Sequence, residues 1–300
     1  MKRVQQKLAR LSKVAGLFVC LSQPVWPIQP IDAGKAAAEN SPPTTSWLAA
    51  DGEPLPFQTD DQILRYLQEA RIVSSKTVGV GINGIQKVLL EKDGLRVHAA
   101  FRDVRDRKRN VRLQDGRFHI SFSDDCIFEV AAYRLSSILG INAVPPAVER
   151  TIQRSKGTLQ IWVENAMMQS EYVQQRPKVN SARERIRQHQ MLYLFDSLIS
   201  NDDRNAGNLL WDSNGKLWMI DHTRAFRWDS EAPRLERIRM CDRAVFQRLK
   251  EVEDDVIESE LKGVLSRREL SSLLKRRQQI VEHLERLIAE KGEEDVLFER

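Results

Sequence analysis

The sequence predicts an α+β protein of two lobes, with sheet concentrated in its first half and helices in its second. Three observations carry this. Two strand-length apolar runs, Ile85 to Leu90 and Leu95 to Phe101, flank Asp93-Gly94, a dipeptide suited to a two-residue hairpin turn. Residues 182–200 and 234–290 have helical patterning with charged outer faces. Strands and one helix come first and helices follow, which is the order of an α+β plan.

Taken along the chain, Lys2, Arg3, Lys7, Arg10 and Lys13 open the sequence without an acid. Val14 to Leu21 is apolar, and Pro24, Pro27 and Pro30 then break any helix. Residues 1–31 are therefore expected to be a signal peptide for export, with a cytoplasmic protein bearing a basic extension as the alternative. Residues 32–56, rich in Ala, Pro, Ser and Thr, read as a linker. The sheet-rich lobe is expected over 57–164 and the helical lobe over 165–300.

Thr59 and Gln62 have capping-box spacing, and Ile63, Leu64, Leu67 and Ala70 give the helix that follows an apolar face. Gly79, Gly81 and Gly84 precede the first hairpin strand. A further helix is expected from Asp125 to Leu139, closed by Gly140. Leu159 to Val163 reads as a strand, and Trp162 as core. The apolar fraction is 41% and the net charge +5, so a real core is affordable and anionic ligands are favoured. The basic run from Arg102 to Arg117 lacks interleaved aromatics and reads as a solvated loop, which argues against nucleic acid. The five histidines are scattered, and no zinc site is expected. Cys126 and Cys241 could pair or stay free.

The richest segment begins at Asn201-Asp-Asp-Arg-Asn-Ala-Gly-Asn208 and ends at Asp221. Between them lies Asn214-Gly215, the best two-residue turn signal in the chain. On that turn Ser213 pairs with Lys216, Trp211 with Trp218 and Leu209 with Ile220, so Asn208 should face Asp221. An amide and a carboxylate side by side can hold Mg²⁺ against phosphates, while a second carboxylate, Asp203, takes or orients the proton of an attacking hydroxyl.

Asp203-Arg204-x-x-x-Asn208, followed by Ile220-Asp221-His222, resembles the catalytic loop and metal-binding aspartate of atypical kinases. The pattern is similar to the secretory-pathway kinases that include the Golgi casein kinase and, more distantly, to phosphoinositide and HipA-type kinases. The resemblance implies a two-lobed protein-kinase-like fold and ATP with Mg²⁺ or Mn²⁺. It implies Asp203 as catalytic base, beside Arg204, and Asn208 and Asp221 as metal ligands. It also implies that Glu129, on the helix Phe128-Glu-Val-Ala-Ala-Tyr-Arg-Leu, pairs with the cation that grips ATP. Gly79, Gly81 and Gly84 would cover the phosphates, and Gln160-Ile-Trp-Val-Glu164 would lead to the interlobe hinge.

This sequence departs from the family pattern at two places. Asn205 stands where many of these kinases have His, and Arg102 stands where they carry the ATP-binding lysine. On the Asp93-Gly94 register Lys87 pairs with Ala100, which puts Lys87 on the face of Arg102, diagonal to it, and lets both reach one phosphate. The expected function is an ATP- and Mg²⁺-dependent phosphotransferase whose acceptor, protein, lipid or small molecule, is open. The alternatives are a pseudokinase scaffold, favoured by Arg102, and nucleotidyl transfer on the same fold.

Overall fold

The computed structural model describes residues 47–78, 85–112 and 118–300. The expected signal peptide and the phosphate-covering glycines Gly79, Gly81 and Gly84 lie outside the described residues. Among the described residues no helix is long and apolar enough to cross a membrane.

The first helix, α1 (Asp60–Glu69), starts where the capping signal puts it: the Gln62 side-chain oxygen accepts from the Thr59 N–H at 3.3 Å. It buries Ile63, Tyr66 and Leu67. Strands β1 (Arg71–Val78), β2 (Ile85–Lys92) and β3 (Leu95–Arg102) then form an antiparallel meander. Asp93 and Gly94 have φ of +53° and +78°, and the predicted register holds, with Lys92 opposite Leu95 and Lys87 opposite Ala100. Alternation sends Val97, Ala99 and Phe101 into the core and leaves His98, Ala100 and Arg102 on the other face.

The basic stretch is not the expected loop. It builds a separate two-stranded ribbon, β4 (Arg105–Arg112) with β5 (Phe118–Asp125). Three of its cations meet carboxylates: Arg105 meets Glu149 at 2.7 Å, Lys108 meets Asp106 at 2.6 Å, and Arg107 reaches Asp125 and Glu269. Helix α2 (Ile127–Ile138) follows and is buried almost all round, with Gly140 at φ +67° just beyond it.

Strands β6 (Ala147–Ile152) and β7 (Ser155–Ile161) complete a five-stranded antiparallel sheet in the order β1-β2-β3-β7-β6. Gln153 and Arg154 make their turn at φ +48° and +73°. Neither residue type advertises such a turn, which is why β6 was not legible in the sequence. The segment expected to be linker contributes to this core, since Trp47, Ala49 and Leu55 are buried and Trp47 packs on Trp218 at 4.8 Å.

After β8 (Met167–Met168) and α3 (Gln169–Gln175) comes α4 (Ala182–Ile199), capped by Ser181, whose Oγ accepts from the Glu184 N–H. Strands β9 (Leu209–Trp211) and β10 (Leu217–Met219) form the next hairpin. Helices α5 (Arg243–Glu251), α6 (Asp254–Leu261) and the long α7 (Arg267–Lys291) close the helical part. The β9–β10 hairpin stitches two apolar clusters together. Leu209, Trp211, Leu217 and Met219 belong to the helical core, while Trp218 and Leu210 pack against the sheet core. Cys126 and Cys241 are both buried and free.

The hairpin register differs from expectation by one residue. Trp211 pairs with Leu217 and Leu209 with Met219, across a five-residue connection. The cause is Asp212. Its Oδ1 accepts from the Asn214 and Lys216 N–H groups, both at 2.9 Å, and its Oδ2 from Trp218 Nε1 at 3.0 Å, which lengthens the turn. Asn208 consequently faces Ile220, whose N–H donates to its carbonyl at 3.1 Å, and Asp221 is the next residue.

Gly157 sets where the end of β3 lies. A Cβ there would sit 2.1 Å from the Arg102 carbonyl oxygen. Gly157→Ala is therefore expected to displace the Arg102 backbone and to cost about 1–3 kcal/mol, the usual range for overpacking, read as a lower thermal midpoint. A wild-type midpoint in that variant would mean that β7 does not press on Arg102.

Candidate active site

The site grows from the C-terminal end of α4. The helix stops at Ser200, which is left-handed at φ +51°. Asn201 then turns the chain: its N–H donates to the Asp196 carbonyl at 2.9 Å, its Nδ2 to Asp196 Oδ1 at 3.1 Å, and its Oδ1 accepts from the Asp203 N–H at 3.2 Å. Arg204 locks the loop from inside. Its Nε and Nη2 bond the Asp196 carboxylate at 3.0–3.2 Å, and its Nη1 donates to the carbonyls of Asn208 at 2.9 Å and Ile220 at 2.6 Å.

Both side chains of this pair are nearly buried, 6% and 9% exposed. Removing one partner of a buried pair typically costs about 3–5 kcal/mol, because the other is left uncompensated. Arg204, expected beside the base as a catalytic residue, is thus consumed as a clamp between α4, the loop and the residue before Asp221.

That clamp presents Asp203 on the outside, 44% exposed, with Oδ2 3.2 Å from Arg224 Nη1. Burial raises the Asp203 pKa above the usual carboxylate value; Asp221, Asp202 and Asp124 add to the rise and Arg224 opposes it. Asn208 is buried, and its Nδ2 donates to the Asp203 carbonyl at 3.2 Å, which leaves Oδ1 as the acceptor end of the amide. Asp221 is left-handed at φ +61°, a strained position for a side-chain-bearing residue though one that Asp tolerates better than most. Asn205 caps the Gly207 N–H at 2.8 Å and donates to the Asp203 carbonyl, so it shapes the loop.

Arg102 enters from the end of β3. It was expected against Glu129, but its Nη1 donates instead to Asp221 Oδ1 at 2.5 Å, and Thr223 Oγ1 donates to the same oxygen at 3.3 Å. Burial alone would lower the Arg102 pKa, yet Asp221, Glu129 and Asp124 together raise it, so the guanidinium stays charged. Glu129 is buried and grips the residue after Asp221: Oε1 accepts from the His222 N–H at 2.7 Å, and Oε2 lies 2.9 Å from His222 Nδ1. Burial pushes its carboxyl up, but His222 and Arg102 outweigh this and hold it below the usual value. His222 itself is fully buried, and its Nε2 has no partner among the described residues.

Lys87 does not converge with Arg102. Its ammonium lies 4.4 Å above the Trp162 ring and 3.6 Å from Glu164 Oε2, beside the His98–Glu164 contact of 2.6 Å. Each cation is drawn to a different carboxylate, so the shared strand face does not bring them to one point. Trp162, expected as core, is only partly buried, at the far end of the same face.

Several residues of the site escaped the sequence reading. Asp124 on β5 lies 3.5 Å from Arg224, and Phe122 stacks under that guanidinium at 5.7 Å. Arg276 of α7 is fully buried and donates to the carbonyls of Leu198, Arg227 and Asp229. Burial lowers its pKa to about 10. Thr223 and Arg224 directly follow the recognised Asp221-His222, and that adjacency was a usable signal; Asp124, Asp196 and Arg276 carry none.

The donor set suits a hard divalent cation. Asn208 Oδ1 and the second oxygen of Asp221 are a neutral and an anionic oxygen on residues flanking the β9–β10 hairpin, and Mg²⁺ needs few protein ligands when phosphates supply the rest. Among the described residues no group of three or more His, Cys, Asp or Glu side chains could hold a metal ion unaided.

Comparisons with known proteins agree with this architecture. No curated protein matches the chain. A solved structure of hydra Fam20 with sugar superposes with a TM-score of 0.58 at 16% identity, covering 80% of this chain and 92% of that one. The Golgi casein kinase with Mn/ADP bound gives a TM-score of 0.58 at 15% identity, over 79% of this chain and 78% of that one. At such identities the fold is what is shared. The chain therefore has an atypical kinase-like fold, and the model of the HipA-like kinase family matches it over residues 136–284.

Proposed function

We propose that the protein is an ATP- and Mg²⁺-dependent phosphotransferase. The observation that carries this reading is the Arg204 clamp, which ties the carbonyls of Asn208 and of Ile220, the residue before Asp221, to the loop that carries Asp203. The Golgi casein kinase, solved with Mn/ADP, supports the choice of nucleotide and divalent metal. Asn208 Oδ1 and Asp221 would hold the metal, which supplies charge neutralisation along the phosphates. Asp203, partly exposed, can receive the proton of an acceptor hydroxyl as the new P–O bond forms and the bridge to the leaving diphosphate breaks. Arg102 can present its fork to phosphate oxygens while remaining near Asp221. Glu129 acts indirectly, fixing the backbone of His222 and with it the left-handed turn at Asp221. Lys87 is left out of phosphate binding. Its charge is held toward Glu164 and the Trp162 ring.

A pseudokinase is the second reading. It is favoured by the direct Arg102–Asp221 contact, which sets a fixed cation against the metal-binding carboxylate. Incubation with labelled ATP, Mg²⁺ or Mn²⁺ and a panel of acceptors separates the two, and the mass of the modified product separates phosphoryl from nucleotidyl transfer. The export reading of residues 1–31 belongs to the same proposal. It expects natively expressed protein to begin at about residue 22–40, and N-terminal sequencing that finds Met1 or Lys2 would defeat it.

Asp221→Ala should abolish Mg²⁺-dependent ATP binding measured by calorimetry while circular dichroism stays native. Retained metal-dependent binding would move the ligand elsewhere. Asp203→Asn should still bind ATP, with transfer falling about 10²–10⁴-fold; a wild-type rate would remove Asp203 as the base.

The acid limb of the rate should lie above the ordinary Asp range, because the Asp203 pKa is raised and the base must be unprotonated. In Arg224→Ala that limb should move to still higher pH, since Arg224 is the group that lowers this pKa. A limb that moves down, or not at all, would show that another group titrates.

A further inference from the structure

Behind the proposed catalytic loop lies a cavity of about 250 Å³ that the phosphotransfer reading does not use. It is walled by α4, by the loop from Asn201 to Ala206 and by the segment carrying Pro233, Arg234 and Arg237. Part of the lining is apolar and aromatic. Leu192 and Leu209 contribute to it, and the His189 and Tyr193 rings stand 6.4 Å apart at 59°.

The charge balance points to the occupant. Asp196 is the cavity's single lining carboxylate, and the Arg204 guanidinium already covers it. Arg234 and Arg237 are exposed at the rim. Among the described residues neither guanidinium has a carboxylate or carbonyl partner, and Arg237 stands 5.9 Å over the Tyr193 ring. The arginines near Asp203 are occupied: Arg224 by Asp203 and Asp124, Arg227 by Asp202 and Asp229. Two uncompensated guanidinium groups over an aromatic-lined cavity suit a phosphate oxyanion, which Arg can bond bidentately.

We infer that this cavity is a second ligand site, separate from the nucleotide cleft, for a small ring compound bearing a phosphate. The ring packs against the His189 and Tyr193 pair and the leucines, where offset or edge contacts are favourable. The phosphate lies between Arg234 and Arg237. The volume is below the roughly 300–1,000 Å³ of drug-sized pockets, which limits the ligand to a compact molecule. Arg204 and Asn205 form part of the wall and also shape the loop that carries Asp203, so occupancy is felt by that loop.

Phenyl phosphate is the probe, with inorganic phosphate and phenol as partial ligands. Calorimetric titration of the full chain should give saturable binding of phenyl phosphate. Inorganic phosphate should bind at least tenfold more weakly, and phenol should show no binding that depends on the arginines. Arg234→Ala/Arg237→Ala should weaken phenyl phosphate at least tenfold, and Arg234→Lys/Arg237→Lys should recover part of the loss. Mg²⁺-ATP, titrated in parallel, should bind wild type and the double alanine variant alike, and should not displace phenyl phosphate. The inference is overturned if the double alanine variant binds phenyl phosphate as wild type does, if phenol matches phenyl phosphate, or if Mg²⁺-ATP competes with it. A failure of Mg²⁺-ATP to bind wild type would count against the nucleotide reading alone, because the phenyl phosphate measurement does not depend on it.

Discussion

A guanidinium is costly to take out of water unless its N–H donors find acceptors. In this chain that requirement, met by Arg204, organises the site. Asp196 takes one side of the fork, and the carbonyls of Asn208 and Ile220 take the other. Three segments remote in sequence are thereby held at fixed separations: the end of α4, the start of β9 and the residue before Asp221. Asp203 and Asp221 inherit their positions from this arrangement rather than from any bond between them. A lysine at this position could not replace it, because one ammonium cannot span a carboxylate and two carbonyls in a plane.

Around that clamp the charges are arranged in a chain of neutralised pairs. Arg102 meets Asp221, Arg224 meets Asp203 and Asp124, and Glu129 meets His222. Four aspartates lie close enough to influence Asp203 or one another, and interleaved arginines keep such a concentration of negative charge tolerable. The same concentration of carboxylates suits the hard cation proposed for the site, and the arginines beside them suit phosphate oxygens. Asp203 stands apart by exposure: it keeps access to solvent while the others are drawn inward, which suits a group that must meet an incoming hydroxyl.

The β9–β10 hairpin explains why small local chemistry has wide effects here. Its inner face contributes to the helical core and its outer face to the sheet core, so its register fixes both. A one-residue slip exchanges the faces of a strand. Asp212, by accepting from two backbone N–H groups and from Trp218 Nε1, selects the longer turn and decides which tryptophan faces which core. The Asn-Gly signal located the turn correctly and named the wrong partners, because turn propensity is local whereas Trp211 and Trp218 are placed by packing.

Local chemistry was enough for much of this protein. The Thr59 cap, the Asp93-Gly94 turn with its register, and the limits of α2 and α4 all follow from contacts a few residues apart, which the sequence displays directly. The α+β order followed from the periodicity of those same segments. Tertiary structure alone decided the partners. Arg102 faces Asp221 instead of Glu129, Lys87 turns to Glu164, the basic run folds into a ribbon, and Arg204 becomes a clamp. Long charged side chains can reach several partners from one backbone position, and the choice depends on which carboxylate is buried beside them. That is settled by how sheet and helices pack, so residue spacing cannot encode it on its own.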